Sequence, residues 1–299
     1  MHQITKCPIC GEADFIPLFD CKDYTQSQEW FSLIRCKHCQ FTMTSPRPDT
    51  IDLGNYYKAN NYISHSDTSK GLINKLYKFV RNFTLHLKIR WIQNLQKKGK
   101  LIDIGSGAGY FLDACKKSGY DVIGIEPDEP SRNLSFHKFK VECFPESHLD
   151  TIGDKEVDLI TMWHVLEHVP ELASRLKQIQ RILKPSGFAI IAVPNCNSFD
   201  ANYYQSQWAA YDVPRHLWHF SPDNIIQLLG QHGFECIKIK PMFFDAFYVS
   251  MLSESYKSNP LALIKGSFIG LLSNILACFS KKAKSSSQVY VFRKLVREA

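Results

Sequence analysis

The fold can be predicted from one stretch of the chain, Leu101-Ile102-Asp103-Ile104-Gly105-Ser106-Gly107-Ala108-Gly109-Tyr110-Phe111. Its first residues are apolar, as in a buried strand, and its last residues begin an apolar helix. Three glycines lie between these two segments. Glycine permits a positive φ and lets a ligand approach the backbone without a Cβ in the way. The stretch therefore predicts a strand–turn–helix unit with a ligand over the turn.

The next predicted strand indicates what kind of ligand this is. Glu126 ends that strand, 21 positions after Gly105. In nucleotide-binding βαβ units an acidic residue at about this distance binds the ribose hydroxyls. A dinucleotide fingerprint would place its third glycine at position 110, which is Tyr110. The spacing therefore favours a nucleoside-containing cofactor that is not a dinucleotide.

Three segments together resemble a known family. The D-x-G-x-G-x-G form beginning at Asp103 resembles motif I of the class I S-adenosylmethionine (SAM)-dependent methyltransferases. Residues 158–169 resemble the fourth strand and following loop of that family, and residues 182–188 resemble the turn before its fifth strand. The resemblance covers roughly residues 100–240 in the family's order. It implies a methyltransferase (EC 2.1.1.-) with an α/β, Rossmann-like, seven-stranded sheet whose last strand is antiparallel.

The resemblance also implies a set of cofactor-binding residues. The glycines of the turn should pass close to the methionine part of SAM, Asp103 should orient its amino group, and Glu126 should bind the ribose. The residues after the fourth strand should lie near the sulfonium. The set is Asp103, Gly105, Gly107, Gly109, Glu126, Trp163 and His164.

Four cysteines at the N-terminus predict a structural zinc site. Cys7 and Cys10 form one C-x-x-C unit, Cys36 and Cys39 form a second, and 25 residues separate the two. Two such turns can direct four thiolates at one tetrahedral zinc ion, which leaves no open coordination position. The alternative is a redox pair, which a thioredoxin-like context would favour. Cys21 is interpreted as a bystander.

These motifs predict three regions. Residues 1–48 are expected to form a small zinc-ribbon-like module. Residues 49–99 are expected to form a connector or lid followed by a basic amphipathic helix over 70–98. Residues 100–299 are expected to form the methyltransferase core, with an apolar insertion at about 245–285.

Composition bounds the cellular setting. The 299 residues are 44% hydrophobic and carry a net charge of +7. The N-terminus lacks the apolar core of a signal peptide, and ten cysteines without such a signal indicate a reducing compartment. The expected localisation is cytoplasmic.

The run Trp208-Ala209-Ala210-Tyr211-Asp212-Val213-Pro214-Arg215-His216-Leu217-Trp218-His219-Phe220-Ser221-Pro222 follows the fifth predicted strand. Its D-x-P-R-H-L-x-H-F-S pattern resembles a methyltransferase subgroup found alongside cell-surface glycan biosynthesis. Arg215 and His216 are predicted to face the acceptor, and His219 to brace the loop. In the alternative, Asp212 pairs with Arg215 and the histidines satisfy local backbone groups. His164 and His168 are further candidate bases.

A metal-dependent alternative involves the same histidines. His164-Val165-Leu166-Glu167-His168 resembles the E-x-x-E-H metal motif of some methyltransferases that orient vicinal hydroxyls, with His164 in place of the first acid. His216 is a candidate further ligand.

A second apolar region suggests a surface role. Leu261–Phe279 is mostly apolar and precedes Lys281, Lys282 and Lys284, and residues 70–100 carry nine basic and no acidic residues. An interfacial helix beside basic residues would bind an anionic membrane surface, which makes the protein peripheral. The alternatives are a homodimer interface or packing on the zinc module. Nucleic acid is the least favoured partner.

The sequence thus predicts methyl transfer from SAM to a hydroxyl of a sugar or lipid-linked glycan precursor, as a small-molecule or lipid-borne acceptor. O-methylation of a quinone-like phenol and sugar C-methylation are alternatives. The non-enzymatic alternative is a zinc-bearing adaptor with a degenerate methyltransferase core.

Overall fold

The computed structural model describes residues 1–57, 72–279 and 284–296. These residues group into two compact units. The described part of the first unit comprises residues 1–57, 164–175, 191–279 and 284–291, and that of the second comprises 72–163, 176–190 and 292–296.

Eleven strands are found in the described residues. They are β1 (Phe15–Lys22), β2 (Trp30–Cys36), β3 (Thr42–Thr44), β4 (Lys100–Ile104), β5 (Asp121–Ile125), β6 (Cys143–Phe144), β7 (Val157–Trp163), β8 (Leu183–Pro194), β9 (Trp218–His219), β10 (Phe234–Pro241) and β11 (Ser287–Lys294).

The same residues contain nine α-helices. They are α1 (Thr50–Leu53), α2 (Leu72–Gln93), α3 (Tyr110–Lys117), α4 (Glu129–Phe139), α5 (Leu172–Ile182), α6 (Phe199–Tyr204), α7 (Pro222–Gln231), α8 (Phe243–Tyr256) and α9 (Ala262–Phe279).

The larger sheet confirms the predicted fold class. Its seven strands lie in the order β10-β11-β8-β7-β4-β5-β6, with the last strand antiparallel. In its centre β4 pairs in parallel with both β5 and β7, so that Ile102 lies opposite Ile123 on one side and Ile160 on the other. Leu101, Ile102 and Ile104 are buried because helices cover both faces of such a sheet.

The smaller sheet joins distant parts of the first unit. Its order is β1-β2-β3-β9, and neighbouring strands pair antiparallel. Three strands come from the predicted zinc module, whereas β9 lies in the run around Arg215 and His216. The sequence did not indicate this pairing, since two residues are too short to show a strand period.

The predicted connector is described only in part. Its described residues form α1 and a 3₁₀ turn over Gly54–Tyr57. The remainder of the lid prediction, residues 58–69 with Tyr62, lies outside the described residues. The basic helix is α2, which covers most of the predicted range 70–98.

The apolar insertion forms a pair of packed helices, α8 and α9. A Cβ added at Gly270 would lie 2.8 Å from the carbonyl oxygen of Ala246, and one at Gly266 would collide with the backbone of Met251. The two helices therefore approach each other backbone to backbone at these glycines. Among the described residues α9 is the one helix long and apolar enough to cross a membrane, and 33% of its 18-residue window is buried.

Candidate functional site

The glycine turn lies in the second unit, between β4 and α3. Gly105, Gly107 and Gly109 have φ values of +74°, +51° and +78°, the left-handed region that glycine adopts at low cost. A Cβ at Gly107 would meet no atom within 4 Å, whereas one at Gly109 would collide with the Ser135 hydroxyl of α4. Gly107 therefore borders open space that a ligand can use, and Gly109 permits helix packing.

Two carboxylates lie at this turn. Asp103 is buried and accepts a hydrogen bond of 2.6 Å from the Thr161 hydroxyl, and burial raises its pKa to about 7. Glu126 follows β5 and accepts hydrogen bonds from the amides of Gly107 at 2.7 Å and Asp128 at 3.0 Å. The acidic residue predicted to bind a ribose is therefore fixed directly to the turn.

Trp163 ends β7 and adds an aromatic surface to the second unit. Its ring packs edge to face on Phe111 at 5.3 Å, and the Lys88 ammonium lies 4.0 Å from its ring centroid. The indole Nε1 is buried and has no hydrogen-bond partner among the described residues. Lys88 was counted in the sequence only as part of a basic stretch. Its contact with Trp163 depends on the placement of α2, which no motif encodes.

These groups fit SAM. The open space beside Gly107 would accommodate a ligand, Asp103 and Glu126 offer acceptors for an ammonium group and a ribose diol, and the Trp163 N–H offers a donor. His164, also predicted to contact the cofactor, follows Trp163 in the chain and belongs to the first unit.

A second cluster lies in the first unit. Glu167 and His168 are in a 3₁₀ turn over Leu166–His168, and His216 precedes β9. One ligand atom from each of the three side chains lies within 4.8 Å of the others. The structure thus brings together two of the four predicted catalytic residues with a carboxylate that was singled out only in the metal-dependent alternative.

The histidine tautomers follow from their hydrogen bonds. His216 Nδ1 lies 2.8 Å from the Ala210 carbonyl oxygen, and His168 Nδ1 lies 3.1 Å from the Arg215 carbonyl oxygen. A carbonyl only accepts, so each Nδ1 carries the proton and each neutral ring has its lone pair on Nε2. The Tyr57 hydroxyl lies 2.9 Å from His168 Nδ1. Both rings therefore offer Nε2 as an acceptor.

Glu167 is the least satisfied group of the cluster. Its side chain is 1% exposed, and neither carboxylate oxygen has a hydrogen-bond partner among the described residues. Its nearest cation is His164, at 3.5 Å, too long for a strong hydrogen bond. Burial raises the pKa of Glu167, but His164, His216 and His168 outweigh burial and hold it below its usual range. The carboxylate is therefore ionised and faces the two histidines.

His164 supplies the positive charge beside this cluster. Its Nε2 lies 3.0 Å from Asp245 of α8. Burial lowers the pKa of His164, but the Asp245 and Glu167 carboxylates outweigh burial and raise it to about 10. Burial and the neighbouring His216 instead lower the pKa of His168 to about 4. At neutral pH the first ring is thus a cation and the second is neutral.

Arg215 is fully buried, and protein groups use its guanidinium. It donates to Asp212 at 2.6 and 3.0 Å, to Asp23 at 2.9 Å and to the Tyr56 carbonyl at 3.1 Å. The Asp212–Arg215 pair of the alternative interpretation is thus present. Arg215 contacts the cluster through its backbone carbonyl, which accepts a hydrogen bond from His168 Nδ1. Its predicted contact with an acceptor stays a prediction.

His219, predicted to brace the loop, lies outside the cluster. Its Nε2 is 2.9 Å from the Thr44 hydroxyl, and the ring is buried. Neither Thr44 nor Asp23 was indicated by the sequence, since both lie in ordinary strand and turn patterns of the N-terminal region.

The four predicted zinc ligands converge. The Sγ atoms of Cys7 and Cys39 are 3.4 Å apart, as are those of Cys10 and Cys36, and all four lie within 4.8 Å of one another. Tetrahedral Zn–S bonds of about 2.3 Å place sulfurs about 3.8 Å apart, so the cluster fits zinc. The knuckles also match in their backbone, since Gly11 and Gln40, each following a second cysteine, have φ values of +79° and +60°.

Comparison with known proteins places the chain in a family. A family model described as a methyltransferase domain matches residues 77–239, more than half of the chain. A ubiquinone biosynthesis O-methyltransferase from Bordetella avium is 29% identical over 37% of this chain and 50% of its own length. One from Glaesserella parasuis is 24% identical over 56% of this chain and 79% of its own length. The chain spans about half the length of the Bordetella protein and of two further relatives of the same name.

A solved structure supports the same conclusion for the fold. A methyltransferase from Galdieria sulphuraria superposes with a TM-score of 0.52 and 14% identity, over 74% of this chain and 88% of that one. With the seven-stranded sheet and the glycine turn, these findings confirm the resemblance drawn from Asp103–Gly109. The chain belongs to the methyltransferase domain family and has the class I SAM-dependent methyltransferase fold.

Proposed function

We propose that this protein transfers a methyl group from SAM to a hydroxyl of a sugar or of a lipid-linked glycan precursor. One observation supports a hydroxyl acceptor in particular, which membership of the family alone does not. Glu167, His168 and His216 lie together and present acceptor atoms, the Glu167 carboxylate and the two Nε2 lone pairs, while a backbone carbonyl uses each histidine Nδ1–H. Such a cluster suits an acceptor that brings a proton to be removed, as a hydroxyl does.

Residues of the second unit would hold the cofactor. Asp103 and Glu126 would accept hydrogen bonds from the amino group and the ribose, beside the open space at Gly107. The bound cofactor supplies an electrophilic methyl group, so that the main task of the protein is to hold the acceptor in line with it.

In the first unit, His216 is the proposed base. Its Nδ1–H donates to the Ala210 carbonyl, which fixes the ring and leaves the Nε2 lone pair to take the proton of the hydroxyl. Glu167 would stabilise the imidazolium that forms, since no other group in the described part of the chain hydrogen-bonds its ionised carboxylate. General base catalysis of this kind contributes about 10²–10⁴-fold.

A divalent cation in the same cluster is the second candidate. One carboxylate and two neutral imidazoles are suitable ligands, and the bare Glu167 oxygens favour a cation at this position. Glu167, His168 and His216 would hold such an ion, which would supply Lewis-acid activation of the acceptor, and the histidines would then act as ligands. Metal analysis of the purified protein separates the two, because the zinc module accounts for one ion per chain and this site would add a second.

The quinone-like phenol remains the competing acceptor. It is supported by the names of the ubiquinone biosynthesis O-methyltransferases, which this chain matches at 29% identity or less. The D-x-P-R-H-L-x-H-F-S run favours the glycan class instead, by its resemblance to the glycan-associated subgroup.

The exposed face of α9 supports a lipid-borne acceptor. Ile264, Phe268 and Phe279 are 71%, 63% and 86% exposed, and Lys284 follows in the described chain. Large apolar side chains beside basic residues suit an anionic lipid surface. We therefore propose a cytoplasmic protein that binds the membrane peripherally, with a homodimer interface as the competing use of this face.

The decisive experiment follows labelled methyl groups from SAM into lipid, polysaccharide, nucleic-acid and small-molecule fractions of the source cells. We expect label in the lipid or saccharide fraction with the wild type and none with His216→Ala. His86→Ala, which removes an exposed histidine of α2, is the matched control. Label in a phenolic quinone precursor would favour the competing acceptor. Failure of the wild type to bind S-adenosylhomocysteine would instead support the adaptor alternative.

A further inference from the structure

The loop that carries His216 is held by the N-terminal sheet. We call residues 210–219 the histidine loop. The Thr44 amide donates to the Leu217 carbonyl at 3.1 Å, and the Thr44 hydroxyl donates to the His216 carbonyl at 2.8 Å. The hydroxyl has one proton, so its oxygen accepts from His219 Nε2 at 2.9 Å. A single buried threonine thus fixes three residues of the histidine loop.

Asp23 is a second anchor. It lies in the turn between β1 and β2, where both it and its partner Arg215 are fully buried and 2.9 Å apart. Its carboxylate is held by its own turn, through the amides of Thr25, Gln26 and Ser27. A carboxylate fixed in this way leaves Arg215 little freedom.

The two anchors, Thr44 and Asp23, hold the adjacent residues on which the positions of both histidine rings depend. The Arg215 carbonyl accepts the His168 Nδ1 proton, and the next residue is His216 itself. Asp23 fixes Arg215 through its side chain, and Thr44 fixes His216 through its carbonyl. A displaced backbone here would change the ring positions of both His168 and His216.

The cysteine knuckles support the same loop from both sides. β2 ends at Cys36, so the sheet that carries Thr44 continues into the cluster. Beyond the loop, α7 is tied to the knuckles, since Asn224 donates to the Cys39 carbonyl and Gln231 to the Ile9 carbonyl, both at 2.8 Å. The chain is therefore fastened to the N-terminal sheet just before β9, through Thr44, and to the knuckles after it, through α7.

We propose that the N-terminal module positions the catalytic histidines, with Thr44 and Asp23 as its positioning residues and zinc in the four-cysteine cluster as the element that maintains them. The catalytic part of this inference rests on the proposed function. The placement of the loop does not, because it can be measured without an acceptor.

The test compares Thr44→Val with Thr42→Val in the full chain. Both threonines are buried in β3, but the Thr42 hydroxyl accepts a hydrogen bond from Arg35 Nε at 3.2 Å, and it is the Thr42 backbone that pairs with His219. Thr44→Val leaves the His216 carbonyl and the His219 N–H without their partner. We expect amide exchange at 216–219 to rise about tenfold or more, since unpaired buried polar groups destabilise the loop. We also expect the His219 ring nitrogens to lose the Nε2–H signature in NMR spectra.

Four further readouts complete the test. Thr44→Ser should restore the exchange rates, since it retains the hydroxyl. S-adenosylhomocysteine affinity should stay within about twofold in every variant, and removal of zinc with a chelator should accelerate exchange over 216–219 as Thr44→Val does. For methyl transfer into the acceptor fraction, we expect kcat to fall with the KM for SAM unchanged.

The outcomes separate the two proposals. Unchanged exchange and an unchanged His219 signal in Thr44→Val would overturn the positioning role, whatever the turnover. Unchanged exchange after zinc removal would overturn the role of the metal. If the loop responds as expected and no fraction accepts methyl groups, the positioning inference stands and the proposed function fails.

Discussion

The glycine turn and the histidine cluster differ in how the chain builds them. At the turn, the amide of Gly107 and the carboxylate of Glu126 are 19 positions apart and belong to one βαβ unit. At the cluster, the contacts that fix the histidine loop join residues 172 and 192 positions apart, Thr44 with His216 and Asp23 with Arg215. The first site is a property of a short segment, and the second depends on the pairing of distant strands.

The largest expected effect tests the glycine turn. Gly107→Arg places a side chain in the open space beside the turn, at a φ of +51° that side chains rarely adopt. We expect S-adenosylhomocysteine binding to fall below detection by calorimetry. Gly230→Ala is the control, since a Cβ there also meets no atom within 4 Å. Binding retained by Gly107→Arg would move the cofactor site elsewhere.

The next largest effect tests the histidine cluster. His216→Ala should lower turnover by about 10²–10⁴-fold, the usual contribution of a general base, and leave cofactor binding unchanged. The comparison of the two sites predicts that the two effects are separate, because each variant changes side chains in one unit only. Wild-type turnover in His216→Ala would remove this residue from the catalytic set.

A smaller effect concerns the buried ion pair. Asp23→Asn should lower the free energy of unfolding by about 3 kcal/mol at neutral pH, the lower end for a broken buried pair, since Asp212 still faces Arg215. Chemical denaturation at pH 7 measures this difference, and a loss below about 0.5 kcal/mol, as at an ordinary surface position, would contradict it.

The same pair predicts a dependence on pH. Burial raises the pKa of Asp23, but Arg215 and the turn amides outweigh it and lower the pKa in the folded state. The stabilisation is therefore present above the unfolded pKa of about 3.9 and is lost as the pH falls through the folded value. Wild type and Asp23→Asn should accordingly converge in stability below about pH 4.

The smallest effect concerns α9. Phe268→Ser removes one exposed aromatic ring and should weaken binding to phosphatidylglycerol vesicles by about tenfold, given about 1.5–3 kcal/mol per buried side chain. Vesicle flotation measures this, with Phe83→Ser of α2 as the control for an exposed phenylalanine outside the insertion. Equal flotation of the wild type and Phe268→Ser would favour the dimer interface, which analytical ultracentrifugation would then show.

The two sites also differ in what could be predicted from the sequence. The segment from Asp103 to Glu126 predicted the turn and its ligand class, because the chemistry and the secondary structure share one segment, and the resemblance of that segment and two others to the class I methyltransferases implied the sheet. The separation of the cysteine pairs predicted a cluster whose four sulfurs do converge. Both predictions rest on residues that are close together in the chain, where spacing in the sequence determines geometry.

The rest required tertiary structure. Thr44 and Asp23 have no distinguishing pattern, and their role arises only when β3 pairs with the two residues of β9. The Glu167 carboxylate has no hydrogen-bond partner among the described residues, and residue spacing along the chain cannot indicate this. The exposure of α9 likewise follows from its packing on α8 rather than from its composition.

The contact between Asp245 and His164 has a consequence for how this protein can diverge or be redesigned. Asp245 lies at the start of the insertion, and at 3.0 Å it neutralises the histidine that faces Glu167. A chimera that takes residues 164–168 without α8 would inherit a half-buried imidazolium and lose one of its two carboxylate partners. The insertion and residues 164–168 are therefore expected to be transferable only together.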